Sequence, residues 1–240
     1  MKLILKTCML VLLATLTGPP AQASNEIHYI GFNRFVAGQE GASSRAFNEY
    51  IRKLHPIMSR YGMTVQTFDV VHGGTEDLAA DVVSFGSAND EESFQAFFED
   101  PEFQQIFPIL IGALSDHQVI FTSGPFSIAG EKRGQLLLSL EWVEGQAAAG
   151  VAKLRDLNGQ PSAVFDTYGV REIAHTAGVM SSRGLAGEIT PTVPPHLLEL
   201  WAIDDPHGFL DDPLVRSASV EAEGLLSRKE SFWLRLRDIR

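Results

Sequence analysis

The chain has 240 residues, of which 45% are hydrophobic, and a formal net charge of −11. This length is enough to bury a substantial core, and the acidic balance argues against nucleic acid or anionic membranes as partners, because both demand clustered Lys and Arg. Cys8 is the single cysteine. An internal disulfide is therefore excluded, and thiolate catalysis or a cysteine metal site is excluded from the chain after its N-terminal segment.

Residues 1–23 have the pattern of a secretory signal peptide. Lys2 and Lys6 give a basic start, residues 9–16 are apolar, and Ala21-Gln22-Ala23 supplies a small-x-small cleavage signature. The apolar run is far shorter than the ~20 residues that a membrane-spanning helix needs. We therefore predict cleavage before Ser24, a periplasmic or secreted protein, and no membrane association after cleavage.

The chain repeats itself. Residues 35–39 return as 142–146 and residues 59–63 return as 166–170, both at an offset of 107. Residues 97–101 and 114–121 return as 209–213 and 226–233, at an offset of 112. Such self-similarity at a fixed spacing indicates a duplicated structural unit. We predict a first repeat at 24–124, a short polar linker at 125–134 and a second repeat at 135–240.

The first repeat alternates strands and helices. Its predicted elements are a strand at 27–35, a helix at 43–60, strands at 63–71 and 81–86, a helix from 89 that is interrupted at Asp100-Pro101, and a strand at 117–122. Apolar residues in 43–60 fall at steps of three and four, which is typical of an amphipathic helix. The acids that precede proline are interpreted as helix caps.

The second repeat follows the same order. Its predicted elements are a strand at 135–143, helices at 147–157 and 162–168, a strand at 170–179, a loop at 181–195, a strand at 196–203, helical pieces in 204–226 broken before Pro213, and a strand at 231–237. Alternating apolar and polar residues in the last segment indicate a half-buried strand.

A strand–helix–strand–strand–helix–strand unit places two helices on one face of a four-stranded antiparallel sheet and leaves the other face apolar. Two such units in one chain can cover each other. We predict an α+β fold with two tandem ferredoxin-like βαββαβ units that form an intramolecular pseudo-dimeric α+β barrel. The sheets would face each other inside with the helices outside, and the chain would be a monomer or a weak homo-oligomer.

Residues 57–121 contain a helix end, then a strand, then a helix that is rich in aromatic residues and interrupted at a proline. The residues that carry this pattern are Tyr61-Gly62, Val82-Val83-Ser84-Phe85, Phe94, Phe97-Phe98, Asp100-Pro101 and Phe103. This pattern resembles the DUF1330 family of the dimeric α+β barrel superfamily. The resemblance implies the ferredoxin-like fold. Relatives in the wider superfamily include cofactor-free monooxygenases, lactone isomerases, chlorite dismutases and haem-degrading enzymes, and fold alone does not choose among them.

The natural pocket of such a barrel is the concave, mostly apolar space between sheet and helices. The offset of 107 makes Arg34 and Glu141 equivalent residues of opposite charge. We expect both on the face turned away from the helices. There they could orient a polar ligand or form a salt bridge at the rim.

Three histidines are candidates for general-base chemistry, since an unperturbed imidazole titrates near neutral pH. His72 ends a predicted strand before two glycines, His117 begins a strand, and His175 shares a strand face with Arg171. We take His72, His175 and Arg34 as the catalytic candidates, and Arg34, Glu141 and Arg171 as the ligand-binding candidates.

No His-Glu-x-x-His or related spacing occurs, so we expect no metal and no cofactor. A fold signal without a catalytic motif favours an exported protein that binds a small, largely apolar ligand or a partner. The first alternative is an enzyme of the cofactor-independent monooxygenase or isomerase type. The second is a haem-binding protein that uses a single histidine ligand such as His175.

Overall fold

A computed structural model describes residues 26–124, 126, 128, 135–185 and 190–239. The predicted signal peptide lies outside these residues. The strands are β1 Ile27–Phe35, β2 Thr64–Gly73, β3 Val82–Ala88, β4 Leu114–Thr122, β5 Gln135–Val143, β6 Arg171–Thr176, β7 Gly178–Arg183, β8 Thr190–Thr192, β9 Leu197–Ile203 and β10 Leu226–Leu236. The helices are α1 Glu40–Arg60, α2 Glu91–Glu99, α3 Pro101–Ala113, α4 Ala147–Gly159, α5 Ser162–Tyr168, α6 Pro206–Asp211 and α7 Pro213–Glu223.

Both predicted helix breaks have the same local cause. Asp100 accepts hydrogen bonds from the backbone N–H groups of Glu102 and Phe103, at 2.7 and 3.1 Å, and Pro101 opens α3. Asp212 accepts from the Leu214 N–H at 2.8 Å in the same way, before α7. An acid at the cap and a proline in the first turn satisfy the helix start, so these acids are structural.

Several predicted boundaries are wrong, and three of them follow from strand pairing. Strands β4 and β10 begin at Leu114 and Leu226, earlier than predicted, because their pairing with β1 and β5 reaches back to those residues. The predicted loop at 181–195 contains the end of β7 and the short strand β8, which pair with each other.

The ten strands form one antiparallel sheet in the order β6-β9-β5-β10-β2-β3-β1-β4-β7-β8. Each half of the chain has the same internal order, and β10 pairs with β2 where the halves meet. Only Ala177 separates β6 from β7, yet β6 pairs with β9 and β7 pairs with β4. This nearly continuous strand links β6, at one end of the sheet, to β7, next to the other end, so the sheet closes into a barrel with the helices outside. The predicted fold class is confirmed, as one continuous sheet rather than two separate ones.

The barrel interior is an apolar core to which both halves contribute. Its fully buried side chains include Ile30, Phe32, Phe68, Val83, Ile120, Leu138, Leu140, Leu198, Leu200, Phe232 and Leu234. Phe126 and Ile128 also lie in this core, and the Phe126 ring stacks on Phe85 with centroids 5.7 Å apart. The predicted description of residues 125–134 as a polar linker is therefore wrong for these two residues. The division of the chain into two repeats stays a prediction.

The predicted faces of β5 are reversed. Leu138 and Leu140 point into the barrel together with Ile30 and Phe32, so the two strands align with an offset one residue larger than the sequence match suggested. Glu141 consequently lies on the helix-covered face, whereas Arg34 follows Ile30 and Phe32 on the barrel-facing side of β1 and is exposed. These two residues are not equivalent partners.

Among the described residues, no helix combines the length and the apolar character needed to cross a bilayer.

Because one core is shared by both halves, we expect Leu138→Ala to destabilise the whole molecule. Leu138 is fully buried, and such truncations cost about 2–5 kcal/mol in the free energy of unfolding. The matched change Leu214→Ala, at a side chain that is 53% exposed, should cost under about 0.5 kcal/mol. Urea unfolding followed by circular dichroism and by fluorescence should show one coincident transition. Two separate transitions would contradict a shared core.

Candidate functional site

A cavity of about 240 Å³ lies between the helix-covered face of the first half's sheet and helices α1–α3. Its walls are dominated by aromatic side chains, namely Phe47, Phe94, Phe97, Phe98, Phe103 and Phe107. The prediction placed the pocket of this fold between sheet and helices, and the cavity lies there.

The aromatic wall follows from the break between α2 and α3. The Asp100 cap turns the chain, so rings from the two short helices meet: the Phe97 and Phe103 centroids are 4.3 Å apart. Phe94 and Phe98 lie edge to face at 4.9 Å. Such pairs add about 0.5–1.5 kcal/mol beyond the burial of their surface, so they stabilise the wall.

The sheet side of the cavity carries polar groups from three neighbouring strands. Asn33 on β1 lies opposite His117 on β4, and Gly31 lies opposite Ser84 on β3. The Asn33 amide donates to Ser84 Oγ at 3.1 Å and to the Val82 carbonyl at 3.2 Å. A Cβ at Gly31 would lie 3.3 Å from His117 Cε1, so glycine leaves the space beside the imidazole open.

His117 is the titratable base of this site. Burial lowers its pKa to about 4, although the backbone of Phe32 and the charge of Asp116 act in the opposite direction. The imidazole is therefore neutral at pH 7. Within the described part of the chain, His117 Nδ1 has no hydrogen-bond partner. A buried polar atom without a partner is uncommon and invites an explanation.

The cavity carries no formal charge on its described walls. Burial raises the pKa of Tyr29 and of Tyr50 above the ordinary tyrosine value, and Tyr29 raises that of Tyr50 further. Both phenols therefore stay neutral. Among the described lining residues, none is Asp, Glu, Lys or Arg. The site is suited to an uncharged molecule, because an unpaired charge buried there would be strongly disfavoured.

The second half of the chain closes this cavity. Ser182, Gly184 and Leu185 line it, and the Gly184 N–H donates to the His117 carbonyl at 2.8 Å. Arg183 fixes this segment, because its guanidinium Nη2 lies 2.6 Å from Asp116 Oδ2, next to His117.

The equivalent positions of the second half hold ionisable groups. By strand pairing, Glu141 takes the place of Asn33, Lys229 that of His117, and Glu199 that of Ser84. Glu141 Oε1 lies 3.1 Å from Lys229 Nζ, and the Asn158 amide donates to Glu199 at 2.6 Å. Burial, and next the charge of Glu141, raise the pKa of Glu199 to about 7.

The sequence-predicted candidates lie outside the cavity. Arg34, His72 and Arg171 are exposed, on β1, β2 and β6. His175 is exposed as well; its Nε2 lies 2.6 Å from Arg155 Nη1, and Nδ1 is paired with Glu172. Glu141 is 1% exposed and belongs to the second-half network.

Sequence reasoning noted His117 only as one histidine among three and missed Asn33, Ser84 and Tyr50. The available signal was local: Gly31 and Asn33 are a small and a polar residue on the helix-facing side of a strand otherwise rich in aromatic and aliphatic residues.

The described cavity does not fit haem. Its volume of about 240 Å³ is below the roughly 300–1,000 Å³ of ordinary drug-sized ligand pockets, and haem is a large macrocycle. The described lining offers no cation for the haem carboxylates. His175, the predicted iron ligand, lies elsewhere, bound to Glu172 and Arg155. Among the described residues, no group of three or more His, Cys, Asp or Glu side chains could hold a metal ion.

No protein-family model matches the chain, and no curated protein matches its sequence. Solved structures do match in fold. An anthrone oxidase-like protein has a TM-score of 0.55 and 11% identity, over 90% of this chain and 93% of that one. A chlorite dismutase variant from Candidatus Nitrospira defluvii has a TM-score of 0.55 and 10% identity, over 91% and 94%. Both are dimeric α+β barrel proteins, and this chain has their fold.

The raised pKa of Glu199 predicts a pH dependence of stability. The folded state keeps a proton that the unfolded state releases near pH 4.5, so stability is lost as the pH rises through about 7. In the wild type this decline amounts to up to roughly 3 kcal/mol in the free energy of unfolding, and Glu199→Gln should abolish it.

Urea unfolding of both proteins between pH 4.5 and about pH 8 measures the difference. Glu223→Gln, at an exposed glutamate, is the control and should leave the wild-type profile unchanged. Parallel profiles for wild type and Glu199→Gln would show that Glu199 does not hold the proton.

Proposed function

We propose that this protein binds a small, uncharged, largely aromatic molecule in the cavity between β1, β3, β4 and helices α1–α3. The observation that carries the proposal is a 240 Å³ space with aromatic walls and a few convergent polar groups. A concave apolar site with a small number of placed polar groups is the usual form of a small-molecule site.

The size and polarity of the cavity limit the ligand. The volume suits a molecule of two or three fused rings. Burial of apolar surface stabilises such a complex by about 25 cal/mol per Å², while lost translational and rotational freedom opposes binding. We therefore expect dissociation constants in the micromolar range for ligands of roughly ten to fourteen heavy atoms.

The cellular location and the oligomeric state that we propose rest on the sequence. We propose that residues 1–23 direct export, that the mature protein is periplasmic or secreted, and that it is a monomer or a weak homo-oligomer. The likeness to DUF1330 and the origin of the two halves by duplication are further proposals. The matched sequence segments and the common strand order of the halves support them.

Naphthalene tests the binding proposal directly. Titration into the mature protein, followed by ligand fluorescence, should give saturable binding with one site per chain. Val65→Phe adds a ring at a lining residue and should weaken binding at least tenfold. Val220→Phe makes the same change at a side chain that is 70% exposed and should bind like the wild type.

Ile111→Phe, on the opposite wall, replaces Val65→Phe if that variant does not fold. Binding that none of these variants alters would place the ligand outside the cavity and overturn the proposal.

A second candidate is catalysis without a cofactor, of the oxygenase or isomerase type. The neutral imidazole of His117 favours it, because a base with a lone pair inside an apolar cavity can remove a proton from a bound carbon acid. The fold likeness to an anthrone oxidase-like protein suggests a substrate to try. Anthrone and O₂ give anthraquinone and water once a base removes the ring CH₂ proton.

We expect anthrone-dependent oxygen uptake above the spontaneous rate if this second candidate holds. His117→Gln should lower that rate at least a hundredfold, consistent with the contribution of a general base. His72→Gln, at an exposed histidine outside the cavity, is the control. An oxygen electrode reading that matches the protein-free rate would leave binding as the function and reject this reaction.

A further inference from the structure

We propose that the phenolic hydroxyls of Tyr29 and Tyr50 donate hydrogen bonds to the bound molecule, so the cavity selects neutral aromatic ligands that carry an acceptor atom. This inference rests on the proposed function and names the side chains that determine its specificity. The acceptor is a carbonyl oxygen or a pyridine-type ring nitrogen, because each presents a lone pair without a formal charge.

The two phenols reach the cavity from opposite walls. Tyr29 lies on β1, on the helix-covered face of the sheet, and Tyr50 lies on α1. The Tyr29 ring crosses to the neighbouring strand. A Cβ at Gly86 would lie 2.1 Å from the Tyr29 Cζ and 2.4 Å from its hydroxyl oxygen, so glycine leaves room for the phenol there. The rings of Phe94 and Phe121 flank it, with centroids 6.0 and 6.1 Å away, so packing fixes the position of this hydroxyl.

Both hydroxyls are free and can be reached. Neither has a hydrogen-bond partner among the described residues, and neither is closed off from a molecule of the size of water. Both lie deep in the protein, because burial raises the pKa of each phenol, and both side chains line the cavity. Their free surface therefore opens into the cavity. A buried hydroxyl without a partner is unfavourable, so a ligand acceptor recovers a lost interaction.

The hydroxyls act as donors. The raised pKa values of Tyr29 and Tyr50 keep both protons in place at neutral pH. The amide hydrogens of Asn33 are already in use, since they point to Ser84 Oγ and to backbone carbonyls of β1 and β3. The described lining has no Lys or Arg that could donate instead. The phenols are therefore free donors on the described walls, and an acceptor on the ligand complements them.

Two pairs of probes with matched shapes separate an acceptor from a donor. Quinoline differs from naphthalene by a ring nitrogen that accepts a hydrogen bond, and indole differs from indene by an N–H group that donates one. All four molecules are neutral at pH 7. Naphthalene is titrated directly, and the others are measured by the displacement of naphthalene, followed by its fluorescence. The affinity ratio within each pair removes the contributions of size and shape.

Variants assign the quinoline contact to the two hydroxyls. The double variant Tyr29→Phe/Tyr50→Phe keeps both rings and should lower the affinity for quinoline relative to naphthalene roughly three- to tenfold, in line with one neutral hydrogen bond. The affinity for indole relative to indene should stay unchanged. The single variants show which hydroxyl the one lone pair of quinoline uses, and they replace the double variant if it does not fold. Tyr168→Phe removes a hydroxyl that donates to Asp212 outside the cavity, and it should leave both ratios unchanged.

The thermal midpoint of the free protein gives an independent readout. Because neither hydroxyl has a partner in the described chain, the double variant should unfold at the same temperature as the wild type or at a higher one. Tyr61→Phe removes a hydroxyl that donates to Asp100 at 2.8 Å, and it should lower the midpoint. Saturating quinoline should raise the midpoint of the wild type more than that of the double variant.

The outcomes separate the two proposals. If neither naphthalene nor quinoline binds the wild type, the proposed function fails and this inference falls with it. If naphthalene binds and the quinoline ratio is the same in all the cavity variants, the ligand site stands and the inference is overturned. An indole ratio that falls while the quinoline ratio holds would overturn it as well, because the hydroxyls would then be acceptors. A midpoint lowered as in Tyr61→Phe would show that the hydroxyls are structural.

Discussion

The structure depends on one constraint, the closure of the sheet by the strand pair β6–β7. With one residue between them, β6 continues the second half's sheet through β9, and β7 continues the first half's sheet through β4. At the other junction β10 pairs with β2. These pairings leave the apolar faces of both halves nothing to contact except each other. The barrel interior is therefore packed with apolar side chains, and the cavity lies on the other side of the sheet, under the helices.

Closure also explains why the first half's cavity needs the second half. The segment that carries Ser182 and Leu185 reaches the cavity only because β7 pairs with β4. Its position is held by the ion pair of Arg183 with Asp116, one residue from His117. The geometry of the imidazole and the integrity of the barrel are thus coupled through the same pair of strands.

The two halves use the same sheet positions in opposite ways. The first half has Asn33, Ser84 and His117 under its helices, all neutral, and aromatic rings above them. At the corresponding places the second half has the buried Glu141 and Glu199 and the exposed Lys229, and one of the two glutamates holds its proton to about pH 7. Desolvation drives both outcomes, since it favours the neutral form of a buried histidine and of a buried glutamate alike. The same fold position therefore gives an uncharged apolar cavity in one half and a proton-holding cluster in the other.

Much of the fold was predictable from the sequence, because local rules determine it. The amphipathic stripe of α1, the caps at Asp100 and Asp212, and the order of strands and helices follow from periodicity and turn chemistry, and they led to the correct fold class. Register was not predictable to one residue. The apparent offset between β1 and β5 was one residue too small, and a slip of one residue exchanges the two faces of a strand. This error placed Arg34 and Glu141 together. It did not prevent the pocket from being predicted between sheet and helices.

The identity of the site was decided by tertiary structure alone, because Asn33, Ser84, His117 and the aromatic wall are far apart in sequence and meet only through strand pairing and helix packing. Solvent exposure separates the other sequence-predicted candidates from the cavity. His72, His175 and Arg171 have side chains suited to catalysis or binding, yet the closed barrel leaves them on its surface.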